Sequence, residues 1–236
     1  MGCWNSIGVF MIISTQKPFD EINKTIQPYQ KLAIFGCGGC AAVCQTGGTK
    51  QVEELALRLE DKEIMFTFQI DEPCDKRILS RELSRVSERL EQVEAVLILA
   101  CGIGVQMIAD SIAKPCFTGL DTLFAGAIVH SNNYKETCTA CGQCLLNTTA
   151  AICPRTLCPK GIANGPCSEK VSEHCSVNDN ETCVWLRIAE RMAAQHVREP
   201  DSELFLRNWS ACSAPRRISG KAASRTNLKN KDGKNN

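Results

Sequence analysis

Three thiols and three glycines fall within nine residues at Gly36-Cys-Gly-Gly-Cys-Ala-Ala-Val-Cys44, directly after the apolar run Lys31-Leu-Ala-Ile-Phe35. Several chemistries use such a stretch. A C-x2-C-x3-C set completed by a distant cysteine supplies the four thiolates of a 4Fe-4S cluster, and the glycines let backbone N–H groups approach the sulfides. Zinc accepts four thiolates as well. The same residues also fit the phosphate-cradling G-x-G-x-x-G/A turn. The thiols count against that use, because thiolates repel a pyrophosphate. The acidic residues able to meet a ribose, Asp71 and Glu72, also lie about thirty positions on rather than about twenty.

Two other apolar runs end in thiols. Ala95–Ala100 runs into Cys101-Gly102, and Glu63–Ile70 is followed by Asp71-Glu-Pro-Cys74. In a parallel sheet the carboxyl ends of the strands share one edge, so Cys37, Cys40, Cys44, Cys74 and Cys101 are expected to converge where such folds bind ligands. Five candidates for four positions, set in a glycine-rich wall, favour an iron–sulfur cluster over zinc. A nucleophilic Cys37 or Cys101 is a further reading, although His130, His174 and His196 lie far apart and lack motif context.

A second array follows. Cys138, Cys141 and Cys144 form C-x2-C-x2-C, the opening of the bacterial ferredoxin run. Cys153-Pro154 comes later than that run requires, which leaves the fourth ligand open, with Cys153 as the candidate. Beyond it Cys158, Cys167, Cys175 and Cys183 suit a second cluster or a structural zinc, or one of them completes the first cluster. His174 permits a mixed site, but a solvated loop histidine is the plainer reading. Cys116, within an apolar run, is expected to be core, and Cys3 and Cys212 fall in terminal segments that need no role.

The scaffold that positions these residues reads as alternating strands and helices. Helices are expected over 18–29, 49–60, 75–92 and 105–113, and strands over 31–35, 63–70, 95–100 and 115–120. The βαβαβ order predicts an α/β fold, a Rossmann-like parallel sheet with helices on both faces and right-handed crossovers. From Asn132 the composition changes, and eight of the 16 cysteines fall between Cys138 and Cys183. So little large aliphatic side chain cannot bury much core, which predicts a metal-stabilised, ferredoxin-like extension. The expected domains are therefore 11–130 (α/β), 131–197 (Cys-rich, with a helix over 184–197) and 198–236. That last stretch carries seven Lys or Arg against one Asp from Ala214 onward and is read as a disordered basic tail. Residues 1–13 have neither a basic n-region nor a clear cleavage site. Met11 offers an alternative start, which would make 1–10 an artefact of the gene boundary. No run approaches the roughly 18 apolar residues that span a bilayer. A cytoplasmic location is expected, where clustered cysteines ligate metal rather than form bridges. The formal net charge of +1 gives no reason to expect nucleic acid.

With both arrays in place, the chain resembles the MetV-type proteins. These are the small zinc or iron–sulfur subunits of methylenetetrahydrofolate reductase, also described as that reductase's C-terminal domain. The resemblance runs from about Ile12 to about Met192. It is carried by Gln16-Lys-Pro18, Gly36–Cys40 with Cys44, Ala100-Cys-Gly102, Cys138–Cys144, Ile152-Cys-Pro154 and Lys160-Gly-Ile-Ala-Asn-Gly-Pro-Cys167. It implies one to three 4Fe-4S clusters, two being expected, with zinc as a further possibility. It also implies a flavin-containing, MetF-like partner that reduces 5,10-methylenetetrahydrofolate to 5-methyltetrahydrofolate, fed by a ferredoxin or an NADH-oxidising subunit. This chain would relay electrons without catalysing folate chemistry itself. The competing reading is a zinc-stapled docking module without electron transfer.

Overall fold

The computed structural model of the chain describes residues 11–130, 132–169, 173–178, 180–196, 204–209 and 215–216. Cys3, Cys212 and the expectations placed on residues 1–10 and on most of 198–236 lie outside the described residues. The chain divides into two compact units between Thr139 and Ala140. This is later than the composition change suggests, because residues 133–136 turn back and pair as a strand of the first unit.

Unit 1 opens with β1 (Ile12–Gln16) and α1 (Phe19–Ile26). Four parallel strands follow, β2 (Lys31–Cys37), β3 (Glu63–Ile70), β4 (Ala95–Leu99) and β5 (Cys116–Thr118), in the order β3-β2-β4-β5. The register pairs Ile34 with both Thr67 and Leu97. Central β2 and β4 are apolar on both faces, and Leu32 to Phe35 and Val96 to Leu99 are buried almost completely. Edge strand β3 alternates buried and open positions, as a strand with one covered face must.

The crossovers are α3 (Thr49–Arg58), α4 (Lys76–Ser84) with α5 (Ser87–Glu91), and α6 (Gly102–Ala109). The chain moves from β2 to β3 in one direction and from β3 across to β4 and β5 in the other. Right-handed connections therefore set α3 on one face and α4, α5 and α6 on the opposite one. The Arg58 guanidinium lies 4.1 Å over the Phe19 ring, which places α1 beside α3. The strand order reverses between β2 and β4. This is the doubly wound arrangement of the flavodoxin type rather than a Rossmann half, whose first strands run 3-2-1.

Two departures from expectation have local causes. The helix expected over 75–92 is split, since Ser84 Oγ donates to the Arg81 carbonyl (2.7 Å) and Ser87 Oγ to the Ser84 carbonyl (3.1 Å), which compete with helix continuation. The second departure is an antiparallel sheet, β1-β6-β7, in which β6 (Leu120–His130) pairs with β1 and with β7 (Asn133–Glu136). Its apolar and polar residues do not alternate cleanly, so periodicity fails to reveal it.

Unit 2 is smaller. It holds α7 (Pro154–Leu157), with proline favourably in the first turn, and α8 (Val184–Ala194). Ile152, Val184, Ile188 and Met192 form its buried cluster. Strand pairing among its described residues is the isolated bridge between His174 and Thr182. A ferredoxin-like sheet is not seen there, for this short apolar inventory cannot cover one. Among the described residues no helix is long and apolar enough to cross a membrane.

One contact pins the carboxyl edge of the unit 1 sheet. The Gly47 carbonyl accepts from Cys37 N–H at 2.9 Å, while a Cβ on Gly47 would overlap the Leu99 carbonyl and sit 3.0 Å from Ala41 Cβ. The obstruction is backbone, which no rotamer change relieves. Gly47→Ala is expected to destabilise unit 1 by about 3 kcal/mol. Urea unfolding monitored on unit 1 checks this, and an unchanged midpoint would show that the turn yields freely.

Candidate metal centre

The cysteines of unit 1 sit where the sheet topology sends them. Cys37 ends β2, Cys101 caps the start of α6 after β4, and Cys74 lies in the turn that leaves β3. Cys40 opens α2 (Cys40–Val43). Four of these thiols are electrostatic neighbours. Cys37 feels both Cys101 and Cys40, and Cys74 feels the same two residues. They gather at the reversal point between β2 and β4, outside the carboxyl ends of the strands, where doubly wound sheets bind ligands.

Burial pushes the Cys37 thiol up to about 11; the backbone at Gly39 and Ala41 pulls against it, and the neighbouring thiols add to it. Cys74 is raised mainly by burial too. Gly39 lines the site closely: a Cβ there would stand 2.9 Å from the Asp71 carbonyl oxygen and 3.7 Å from Cys37 Sγ. The turn is tied across the strand ends, with Gly38 N–H donating to the Ile70 carbonyl at 2.9 Å. Gly102 N–H is taken by Thr122 Oγ1 at 2.7 Å.

Cys44 occupies a different setting. It is buried, its thiol points at the Ile12 carbonyl (3.7 Å) on β1, and it lies beside Tyr134 of β7 while still feeling Cys40. Of the five expected ligands, Cys37 and Cys74 are electrostatic neighbours of Cys40 and Cys101, and Cys44 of Cys40, while the Cys44 thiol also faces the antiparallel sheet. Cys116 behaves as core: burial pushes it up to about 11, and its thiol donates to the Lys114 carbonyl at 3.4 Å. The phosphate reading loses its structural basis, since the glycine turn leads into the four-residue α2 rather than a long helix.

The second array is divided by the unit boundary, with Cys138 in unit 1 and Cys141 and Cys144 in unit 2. Cys138 and Cys144 are exposed. Cys153 caps the start of α7 and lies 3.4 Å from Thr156 Oγ1, and Cys158 caps its end. Cys167 and Cys175 both lie near Lys160, and Cys183 precedes α8. The backbones of 173–175 and 181–183 are paired through Cys175 N–H to Glu181 O and Cys183 N–H to Glu173 O, both at 3.0 Å.

Unit 2 also encloses polar side chains. Arg155 Nη1 and Nη2 and Ser176 Oγ are buried, and the acceptor that faces the Arg155 guanidinium is the Cys141 thiol. Arg155, on α7, is the residue that spacing arguments missed. A single arginine in a polar stretch carries no signal, and only its place one residue after Cys153-Pro154 pointed to it. At Cys141 burial acts to raise the thiol, but the backbone at Gln143 and the Arg155 guanidinium outweigh it and hold the thiol below its ordinary value. The Lys160–Cys167 stretch is architectural. Ile162 O accepts from Trp185 Nε1 (3.1 Å), Gly165 rests on the Trp185 indole, and the Asn164 side chain exchanges two hydrogen bonds with the Phe205 backbone (3.0 and 2.7 Å). Residues 204–209, expected within a disordered tail, are thereby fastened to unit 2.

Among the described residues, no three His, Cys, Asp or Glu side chains are drawn into a cage for a metal ion. The donor set nevertheless fits a soft metal in kind. The neighbouring groups are thiols, and a glycine leaves the backbone close to them.

The profile of a family described as "Methylene-tetrahydrofolate reductase C terminal" matches residues 117–209, less than half of the chain. No curated protein and no solved structure matches the chain. The matched segment contains β6, β7, all the Cys-rich stretch and the Phe205 segment.

The Cys37 setting makes a measurable statement about reactivity. A thiol held near 11 presents about a hundredfold less thiolate at neutral pH than one at 9.0. In metal-free, reduced protein, iodoacetamide followed by peptide mass spectrometry is expected to label Cys37 last among the gathered thiols, with a rate still rising above pH 9. Rapid labelling at pH 7 would instead mark it as an activated nucleophile.

Proposed function

We propose that this chain is an iron–sulfur accessory subunit of the MetV type, supporting electron delivery to a flavin-containing, MetF-like methylenetetrahydrofolate reductase. That partner would carry the reduction of 5,10-methylenetetrahydrofolate to 5-methyltetrahydrofolate. The observation that carries the reading is the gathering of Cys37, Cys40, Cys74 and Cys101 at the reversal point of a parallel sheet. The family match over residues 117–209 supports the pathway.

A 4Fe-4S cluster takes up and releases single electrons with little rearrangement. The chain's own residues would do the rest. The four cysteines would hold one cluster in unit 1, and Cys141, Cys144 and Cys153 of unit 2 are the candidates for a second. The buried faces of β2 and β4 keep water from the underside of the first site, which tunes its potential through burial. Cys158, Cys167, Cys175 and Cys183 would take a third cluster or a zinc ion. A ferredoxin or an NADH-oxidising subunit in the cytoplasm would be the electron source.

One observation favours zinc in unit 2. Its buried cluster of four residues is too small to hold the unit by packing alone, so a structural metal would contribute directly to its folding. Anaerobic purification discriminates the readings. The iron–sulfur reading expects a brown protein with roughly four to eight irons per chain and matching sulfide, and co-purification with a flavoprotein. Cys101→Ser should remove iron from the first site while leaving the visible band of the second. A colourless protein with stoichiometric zinc and no iron would overturn the electron-transfer role.

A further inference from the structure

Right-handed crossovers leave an opening on one face of the unit 1 sheet. α3 returns the chain from β2 to β3 and lies over that half of the sheet, while α4, α5 and α6 occupy the opposite face. The half that carries β4 and β5 is covered on the α3 side by α1, which is followed by Tyr29 against Phe117 of β5, ring centroids 5.2 Å apart. The two helices touch where Arg58 lies over Phe19. Between them, at the end of β4, a cavity of about 320 Å³ remains. This is the size of a small-molecule site, beside the strand-order reversal where doubly wound sheets hold ligands.

The lining has two kinds of surface. Phe19 and Ile22 of α1, Leu55 of α3 and Leu99 of β4 form an apolar wall, and Lys17, Gln51, Glu54 and Arg58 belong to a polar rim. Backbone groups fix that rim: Lys17 N–H donates to the Gly119 carbonyl at 2.9 Å, and Gln16 Nε2 to the Thr46 carbonyl at 3.0 Å. Lys17 Nζ is shared between Glu21 (2.6 Å) and Asp121 (2.8 Å), and Glu54 faces Lys50 at 3.7 Å. Arg58 differs. Among the described residues its guanidinium has no carboxylate partner, and it rests on the Phe19 ring at 4.1 Å. A ring under one face of a planar cation leaves the in-plane N–H edge able to meet a bidentate acceptor.

We infer that this cavity binds a small organic carboxylate, its apolar body against Ile22, Leu55 and Leu99 and its carboxylate on the Arg58 edge. No cysteine lines the cavity, so the site stands apart from the metal-binding reading and survives if that reading fails. A neutral apolar molecule would make no use of Arg58, and a bare inorganic anion would leave the wall uncovered. Glu54, one turn before Arg58 on the same side of α3, is the built-in competitor for that edge.

The test titrates para-fluorobenzoate into the full-length chain and follows the fluorine resonance. The neutral para-fluorobenzamide and inorganic phosphate serve as the two halves of the ligand. Saturable benzoate binding is expected with a Kd of about 1 mM, and both comparison molecules should bind about tenfold more weakly. Arg58→Gln should weaken benzoate about tenfold, whereas Glu54→Gln should tighten it about twofold. Urea midpoints of the variants are measured alongside. Benzamide binding as tightly as benzoate overturns the inference, as does phosphate displacing benzoate at equal concentration, or the absence of a saturable shift. An Arg58→Gln affinity equal to wild type does the same. If Arg58→Gln lowers the urea midpoint, Glu54→Gln decides, and an affinity that fails to rise in that variant overturns the site.

Discussion

Parallel pairing forces every strand of a sheet to end on the same edge, and in unit 1 that constraint determines where the chemistry can be. β2, β3 and β4 each hand the chain to a turn containing a cysteine, and the reversal of order between β2 and β4 opens a crevice at that edge. The turns are located by backbone rather than by side chains. Cys37 N–H is held by Gly47, Gly38 N–H by Ile70, and Gly47 rests against Leu99 at the end of the neighbouring strand. The backbone at this edge is thus fixed by its own hydrogen bonds.

The same burial that positions the thiols works against their ionisation. Cys37, Cys44 and Cys74 are all raised, with desolvation the largest cause in each case. A bound cation reverses this logic, because its charge replaces the solvation that the thiolates lost. On the proposed reading, filling the unit 1 site releases protons from groups that hold them tightly in the empty protein, so metal affinity should rise steeply with pH. Burial therefore favours thiols without metal and thiolates with it.

Much of this was legible in the chain. The runs 31–35 and 95–100 stand out because strands covered on both faces are continuously apolar, 63–70 alternates as an edge strand does, and parallel topology sends Cys37, Cys74 and Cys101 to one edge. Cys44 was beyond that argument. Its thiol faces the Ile12 carbonyl, and β1 belongs to an antiparallel sheet whose irregular patterning hid it. The helix over 75–92 read as continuous because its apolar stripe is continuous; the interruption comes from serine hydroxyls, a local competition that periodicity does not register. In unit 2 the thiols announce themselves by spacing. Arg155 does not, since a lone arginine has no spacing to read, and its contact with Cys141 is made across the fold of the unit.

Unit 2 makes the reverse bargain from unit 1. Its buried cluster of Ile152, Val184, Ile188 and Met192 supplies little hydrophobic stabilisation, and much of its order is carried by specific polar clamps: Asn164 on Phe205, Trp185 on Ile162, Gln143 on Asn208. Hydrogen bonds of this kind contribute modestly each and act together only when the chain segments are already close. The Arg155 guanidinium adds to these clamps, lying 5.1 Å from the Phe205 ring centroid and holding the Cys141 thiol below its ordinary value. Packing thus accounts for unit 1, whereas the order of unit 2 depends on clamps that join segments distant in the sequence.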